Sequence, residues 1–351
     1  MKALTVQPGR SGPPQVVDVP EPSPGEQDLL VDGLAVGVCG TDREIAAGEY
    51  GWAPPGRDRL ILGHESLGRV RAAPAGSGFA AGDLVAGVVR RPDPVPCGAC
   101  AHGEFDMCRN GRYVERGIKE LDGYASERWQ VEASYAVRLD PRLAEVGVLM
   151  EPTSVVAKAW DEIEQIGRRS WFEPQRALVT GAGPVGLLAA LLAVQRGLDV
   201  HVLDVVTSGA KPDLVRALGA TYHHDGVASA ARAAEPDVVI DATGVSSVVF
   251  EGIAAAAPYG IVCLTGVSSA GKVILLDGGA LNRELVLDNN VVVGSVNANL
   301  RHYDLAATAL AQANLDWLSR LISRRVPLGR ASEAFDPRSD DVKVVITLDG
   351  R

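Results

Sequence analysis

The chain of 351 residues contains no apolar run of the roughly 18 residues that a membrane-spanning helix requires. Its most apolar stretch, GLLAALLAV, is short and follows a glycine-rich turn. A basic excess is also missing: 34 Lys and Arg stand against 44 Asp and Glu, for a formal charge of -10. That balance argues against the cationic face through which nucleic acid is bound and points to a small-molecule partner. The opening MKALTVQPGRSGPPQ carries no apolar core and no small-residue cleavage site, so the expected location is the cytoplasm. There is no internal repeat and no low-complexity segment. Cysteine is sparse and odd in number, five in all. Cys97, Cys100 and Cys108 cluster, which in a reducing compartment indicates metal binding before disulfides.

What is present fits a globular α/β protein. Hydrophobic residues make up 46% and charged residues 22%, enough apolar material for two cores, and the length favours two domains over one. Over residues 1–155 the apolar runs are short and punctuated by Gly and Pro, as in LLVDGLAVGVCG and DLVAGVV, predicting a mostly β region folded as a distorted barrel. EPTSVVAKAWDEIEQI then changes to a helical period and predicts a boundary helix. Residues 156–300 alternate strand and helix, the pattern of a doubly wound parallel sheet. Residues 301–351, a helix and the closing strand KVVITLDG, are expected to return to the first domain.

GAGPVG, with Gly181, Gly183, Pro184, Val185 and Gly186, follows the strand ALVT and opens a helix, the setting of a Rossmann dinucleotide fingerprint. Asp204 ends the next strand, where a carboxylate accepts from a ribose 2′-hydroxyl, which favours NAD. Lys211 and His201 nearby leave room for NADP. Cys39 in VGVCGTD, His64 and Glu65 in LGHESLG, and Glu151 in LMEPTS offer thiolate, imidazole and carboxylate ligands. Three such ligands with one position open make a catalytic zinc site. Glu65 either orients its neighbour or alternates with Glu151 at the metal. Cys97, Cys100 and Cys108 fall one thiolate short of a closed structural zinc site, with His102 or Asp106 as the fourth ligand, or a loop without zinc as the alternative.

These residues together resemble the zinc-containing medium-chain alcohol dehydrogenases, and within them the glucose (aldose) 1-dehydrogenases. GVCGTD, LGHE, the cysteine lobe, GAGPVG and DATG are similar to the superfamily at large. VVRRP at 88–92, GRYVERGI at 111–118, LMEPTSV at 149–155 and GSVNAN at 294–299 are similar to the glucose dehydrogenase branch. The resemblance implies a GroES-like barrel as catalytic domain beside the Rossmann domain, with a polyol pocket between zinc and nicotinamide. It implies that Glu115 contacts sugar hydroxyls, that Asn297 lies near both sugar and cofactor, and that Thr41 hydrogen-bonds the reacting hydroxyl. It further implies cofactor contacts from Thr243, Thr265, Gly266, Val267 and Ser295. The expected reaction is hydride transfer from C1 of an aldose such as D-glucose to NAD(P). The alternatives are a polyol or cyclitol dehydrogenase with the same zinc chemistry and a non-catalytic NAD(H)-binding relative. The apolar strand VVVGSVN near residue 294 predicts a homo-oligomer, dimer or tetramer, by edge pairing across a two-fold.

Overall fold

The structure, a computed structural model, describes residues 1–268, 271 and 273–348; the end of the predicted closing segment, 349–351, lies outside them. The chain separates into two compact units, Met1–Ser154 with Ala298–Arg351, and Val155–Asn297. The helix Met150–Gly167 carries the chain from one to the other.

The first unit is built around the strand Asp28–Val38, whose residues alternate half-buried and buried before becoming buried throughout. Such a strand has one face on a core and then enters the middle of a sheet. It pairs antiparallel with Glu65–Ala72, Lys343–Thr347 and Arg128–Glu132. Leu84–Gly87, Ala136–Arg138 and Ile322–Pro327 complete a seven-stranded sheet. A separate antiparallel sheet joins Gln15–Asp18, Lys2–Val6 and Leu60–Ile61. The core between them gathers Leu29, Val31, Leu62, Val70, Tyr124, Val131, Val344 and Ile346. Trp129 meets Tyr124 edge-on at 4.7 Å. A third, small sheet of Arg90–Arg91, Val114–Arg116 and Glu120–Leu121 holds Glu115 opposite Arg90.

In the second unit six parallel strands lie in the order Thr221–His223, Asp199–Leu203, Arg176–Thr180, Val238–Asp241, Ile261–Leu264 and Val291–Gly294. The sheet grows outward in both directions from Arg176–Thr180 and Val238–Asp241, as a doubly wound nucleotide-binding sheet does, and ligands bind such sheets beyond the C-terminal ends of the strands at that switch point. Thr180 donates to Asp241 at 2.7 Å and ties the two strands together there. The helix Pro184–Gln195 is apolar nearly all round and buried from Gly186 to Ala193, which fits a helix enclosed by its own unit.

Candidate active site

Cys39 is the N-cap of the helix Gly40–Ala47, and Asp42 in its first turn accepts the Cys39 amide at 2.9 Å. This short bond fixes the turn from which Cys39 and Thr41 project. Glu65 begins the neighbouring strand, and His64 lies in the bend just before it. The residue before them, Gly63, has φ +90°, and a Cβ there would press on Val36 and Ala125, so glycine lets the chain turn His64 inward. One ligand atom from each of Cys39, His64 and Glu65 lies within 4.8 Å of the others. A thiol, an imidazole and a carboxylate at that spacing suit a zinc ion.

Two side chains not assigned from the sequence organise the cluster. Asp42 Oδ1 lies 3.5 Å from His64 Nδ1, the position from which a carboxylate orients a metal-binding imidazole. Burial pushes the His64 imidazole down, but the Asp42 carboxylate and Cys39 outweigh it and hold His64 well above the ordinary histidine range. Burial likewise pushes Asp42 up, and His64 more than reverses this. Lys343, on the returning C-terminal strand, donates to Glu65 Oε1 at 2.5 Å and to the Val38 carbonyl at 3.2 Å. Burial lowers its ammonium, and the Glu65 charge raises it past that penalty. Glu65 is thus held by a lysine rather than left free beside His64. Glu151, in the first turn of Met150–Gly167, stands outside the tight cluster. Its carboxyl is pushed up to about 7 by burial, with His64 pulling it down and Glu65 adding to the rise. A signal for Asp42 stood in GTD, three residues after Cys39; Lys343 lies 278 residues from its partner, beyond the reach of any local motif.

Glu115 is buried, and Arg90 donates to its Oε1 through Nε at 3.1 Å and Nη2 at 2.9 Å. Arg90 also donates to the Asp106 carbonyl at 2.8 Å and stacks 3.7 Å from the Tyr113 ring. The strand pairing of Arg90 with Glu115 accounts for this, because it places both side chains on one face. Gly117, at φ +71°, packs its backbone against Gly63, where a Cβ would collide with the Gly63 carbonyl. The Glu115 turn and the His64 turn therefore lie in contact within one unit.

In the second unit Gly181 takes φ +95° and Gly183 caps the helix Pro184–Gln195. A Cβ on Gly186 would strike the Gly181 carbonyl, so the third glycine is what allows helix and strand to pack. The loop thus presents helix N-terminal amides to an anion. Asp204 accepts from the Ala182 amide at 2.7 Å, from Val206 at 3.2 Å and from Lys211 at 3.1 Å. Burial pushes Asp204 up, and the Ala182 amide and Lys211 bring it below the usual carboxylate range. Thr243 and Thr265 both donate to Asp241, at 2.6 and 2.7 Å, and Gly266 donates to it at 3.0 Å, while Val267 is exposed. Ser295 is buried, and Asn297 takes φ +62°. The buried Lys158 donates to the Val296 carbonyl at 3.0 Å and pins this turn.

The Cys97, Cys100 and Cys108 thiols lie within 4.8 Å of one another, and among the described residues no fourth ligand joins them. His102 turns its Nδ1 onto the Gly98 carbonyl at 2.7 Å, and Asp106 accepts from Asn299 at 3.0 Å. Amides of Cys100 and Arg109 lower the Cys97 thiol to about 6, and burial raises Cys100 to about 11. Three thiols do not close a tetrahedral structural site.

The comparisons agree with this geometry. Residues 25–141 match the alcohol dehydrogenase GroES-like domain, and residues 144–348 match the glucose dehydrogenase C-terminus. Glucose 1-dehydrogenase of Thermoproteus tenax is 43% identical over 358 residues, covering 99% of both chains. That of Methanocella arvoryzae is 38% identical at the same coverage. Haloferax mediterranei glucose dehydrogenase, solved in complex with NADP, Zn and gluconolactone, superposes with a TM-score of 0.91 at 33% identity, covering 99% of each chain. With a GroES-like barrel, a doubly wound sheet and the thiol–imidazole–carboxylate cluster in place, the chain belongs to the glucose dehydrogenase family of zinc-containing, NAD(P)-dependent medium-chain dehydrogenases.

Proposed function

We propose that the chain oxidises the C1 hydroxyl of an aldose such as D-glucose to the lactone, with hydride passing to NAD and one proton released; NADP is also accepted. The observation that carries this reading is the cluster of Cys39, His64 and Glu65 in the same unit as the buried Glu115–Arg90 pair. Cys39, His64 and one of Glu65 and Glu151 would hold zinc, which when bound supplies a Lewis acid for the reacting hydroxyl. Thr41, in the same helical turn as Cys39, accepts the proton of that hydroxyl in a hydrogen bond and passes it toward water. Glu115, held by Arg90, accepts from sugar hydroxyls and fixes the ring. The glycine loop receives the pyrophosphate, Asp204 accepts from the ribose, and Thr243, Thr265, Gly266, Val267, Ser295 and Asn297 line the remainder of the cofactor site. Lys211 on Asp204 supplies the positive charge that a 2′-phosphate needs.

A panel of D-glucose, D-galactose, D-xylose, a linear polyol, a cyclitol and ethanol, with NAD or NADP and added zinc, tests the reading. Aldose turnover abolished by chelation supports it. Turnover of a polyol or cyclitol alone keeps the metal chemistry and overturns the substrate, and silence on the whole panel favours the non-catalytic alternative. Glu115→Ala is expected to lower turnover by more than about tenfold, or 1.4 kcal/mol. No helix among the described residues is long and apolar enough to cross a membrane, and the five free cysteines suit the reducing cytoplasm. The edge strand Val291–Gly294, with Val292, Val296, Val286 and Leu287 exposed beside it, supports a homo-oligomer. Light scattering that finds a monomer at micromolar concentration would refute it.

A further inference from the structure

Tyr50 and Trp52 form an edge-to-face pair, ring centroids 5.1 Å apart at 73°, yet 41% and 46% of their surfaces are exposed. Of the other tryptophans Trp129, Trp160 and Trp317 are buried, as are Tyr124 and Tyr303, while Trp171, in the second unit, is exposed. The pair is rigidly mounted. Gly51 between the rings takes φ +88° and packs where a Cβ would press on Ile45. The Trp52 amide donates to Ile118 at 2.9 Å, and its carbonyl accepts from Glu120 at 3.0 Å. That turn closes directly on Glu115, whose amide donates to the Lys119 carbonyl at 2.8 Å and whose carbonyl accepts from Lys119 at 2.9 Å. The Tyr50 phenol also lies near Glu115, Tyr113 and Arg90: burial first, then the Glu115 charge, raises its pKa, which keeps it a neutral donor. Tyr113 adds a third ring, with Lys119 Nζ 4.3 Å from its centroid.

A rigid, uncovered aromatic corner beside a buried carboxylate has the two properties of a carbohydrate site: apolar faces for the C–H surface of a pyranose, and polar groups that orient hydroxyls. Glu115 and Arg90 are accounted for by the reacting sugar. We infer that Tyr50 and Trp52 form a stacking subsite for a second sugar ring, so that reducing disaccharides are substrates as well as monosaccharides. The inference rests on the aldose reading proposed above, because it takes Glu115 as the anchor of the first ring. An uncharged ligand fits the mixed charge of Glu115, Arg90 and Lys119 around the corner. Trp52, mounted on the turn that follows Glu115, supplies the face onto which the non-reacting ring lies, and the Tyr50 hydroxyl donates to it.

The test compares kcat/KM for D-glucose, maltose, cellobiose and melibiose in the wild type, Trp52→Ala, Tyr50→Ala and Trp52→Phe, alongside tryptophan fluorescence on titration with each sugar. At least one disaccharide is expected to be turned over and to perturb the fluorescence. Its kcat/KM relative to that of glucose should fall by about tenfold or more in Trp52→Ala, through KM, and recover in Trp52→Phe. The inference is overturned if the wild type oxidises glucose but neither oxidises nor binds any disaccharide. It is equally overturned if Trp52→Ala lowers glucose and disaccharide activity in proportion, as a merely structural or interfacial role would. Saturable disaccharide binding lost in Trp52→Ala, with no turnover of any aldose, would sustain the subsite and overturn the proposed reaction instead.

Discussion

Replacing Lys343 with Met removes one member of a buried ion pair and leaves the other behind. Lys343 is 3% exposed and Glu65 1% exposed, and the lysine donates both to Glu65 and to the Val38 carbonyl. Breaking such a pair from one side costs about 3–5 kcal/mol, most of it the uncompensated buried charge. In a folding unit of this size each kcal/mol moves Tm by about 2–4 °C, so the metal-free first unit should melt about 6–20 °C lower. Zinc changes the comparison. Glu65 shares the cluster with Cys39 and His64, so in the variant its freed carboxylate can turn onto the metal and regain a positive partner. The gap between zinc-loaded and metal-free melting temperatures should therefore be wider in Lys343→Met than in the wild type. Combining it with Glu65→Gln, which deletes the orphaned charge, should recover much of the loss and give a large coupling energy in a double-mutant cycle. Circular-dichroism melts with and without chelator are the assay. Strictly additive effects of the two changes, or a loss below about 1 kcal/mol in the metal-free protein, would show that the pair is not what holds Glu65.

Three further outcomes follow from the site. Asp42→Asn keeps the size but weakens the grip on His64 Nδ1, and zinc affinity measured by competition with a chromophoric chelator should fall by about 10–100-fold; unchanged affinity would remove Asp42 from the site. In the metal-free protein Glu151 titrates near 7 and His64 well above the ordinary histidine range. Both folded values are raised, so the stability they contribute is present at low pH and is lost as pH rises through them, while zinc must displace their protons to bind. The metal-free Tm should decline, and zinc affinity climb, from about pH 4.5 through 7 as Glu151 titrates, with His64 continuing both trends above 6.5, and a flat affinity between about pH 5 and 7 would contradict the assignment. Asp204→Ser removes the charge that repels a 2′-phosphate while leaving Lys211 beside it; the ratio of kcat/KM with NADP to that with NAD should rise by about tenfold or more, and no change would show that the ribose is read elsewhere.

Much of the site was legible because its signals are local. GAGPVG works through backbone conformation and close approach over six adjacent residues, and Asp204 follows at the end of the next strand. The alternation of strands and helices specified a parallel sheet, since each apolar run had to be buried on two faces. Cys39 and His64 could be singled out as candidate ligands from their motifs, although the sequence offered both Glu65 and Glu151 for the remaining place. The structure places Glu65 in the cluster and on Lys343, and Glu151 just outside.

What the sequence by itself determined is chemistry carried by neighbouring residues: the glycine loop, the acid after it, the thiol and imidazole that seek a metal, and the two-domain order. Only the tertiary structure decided which distant groups those residues meet. Lys343 reaches Glu65 because the C-terminal strand pairs with Asp28–Val38, and Arg90 reaches Glu115 because their strands pair antiparallel. The fourth place beside Cys97, Cys100 and Cys108 likewise depends on spatial neighbours: His102 is turned onto the Gly98 carbonyl and Asp106 accepts from Asn299. The physical reason is common to the first two: a buried charge must find a partner, and the partner is supplied by whichever strand the fold lays beside it, at a sequence distance no local pattern encodes.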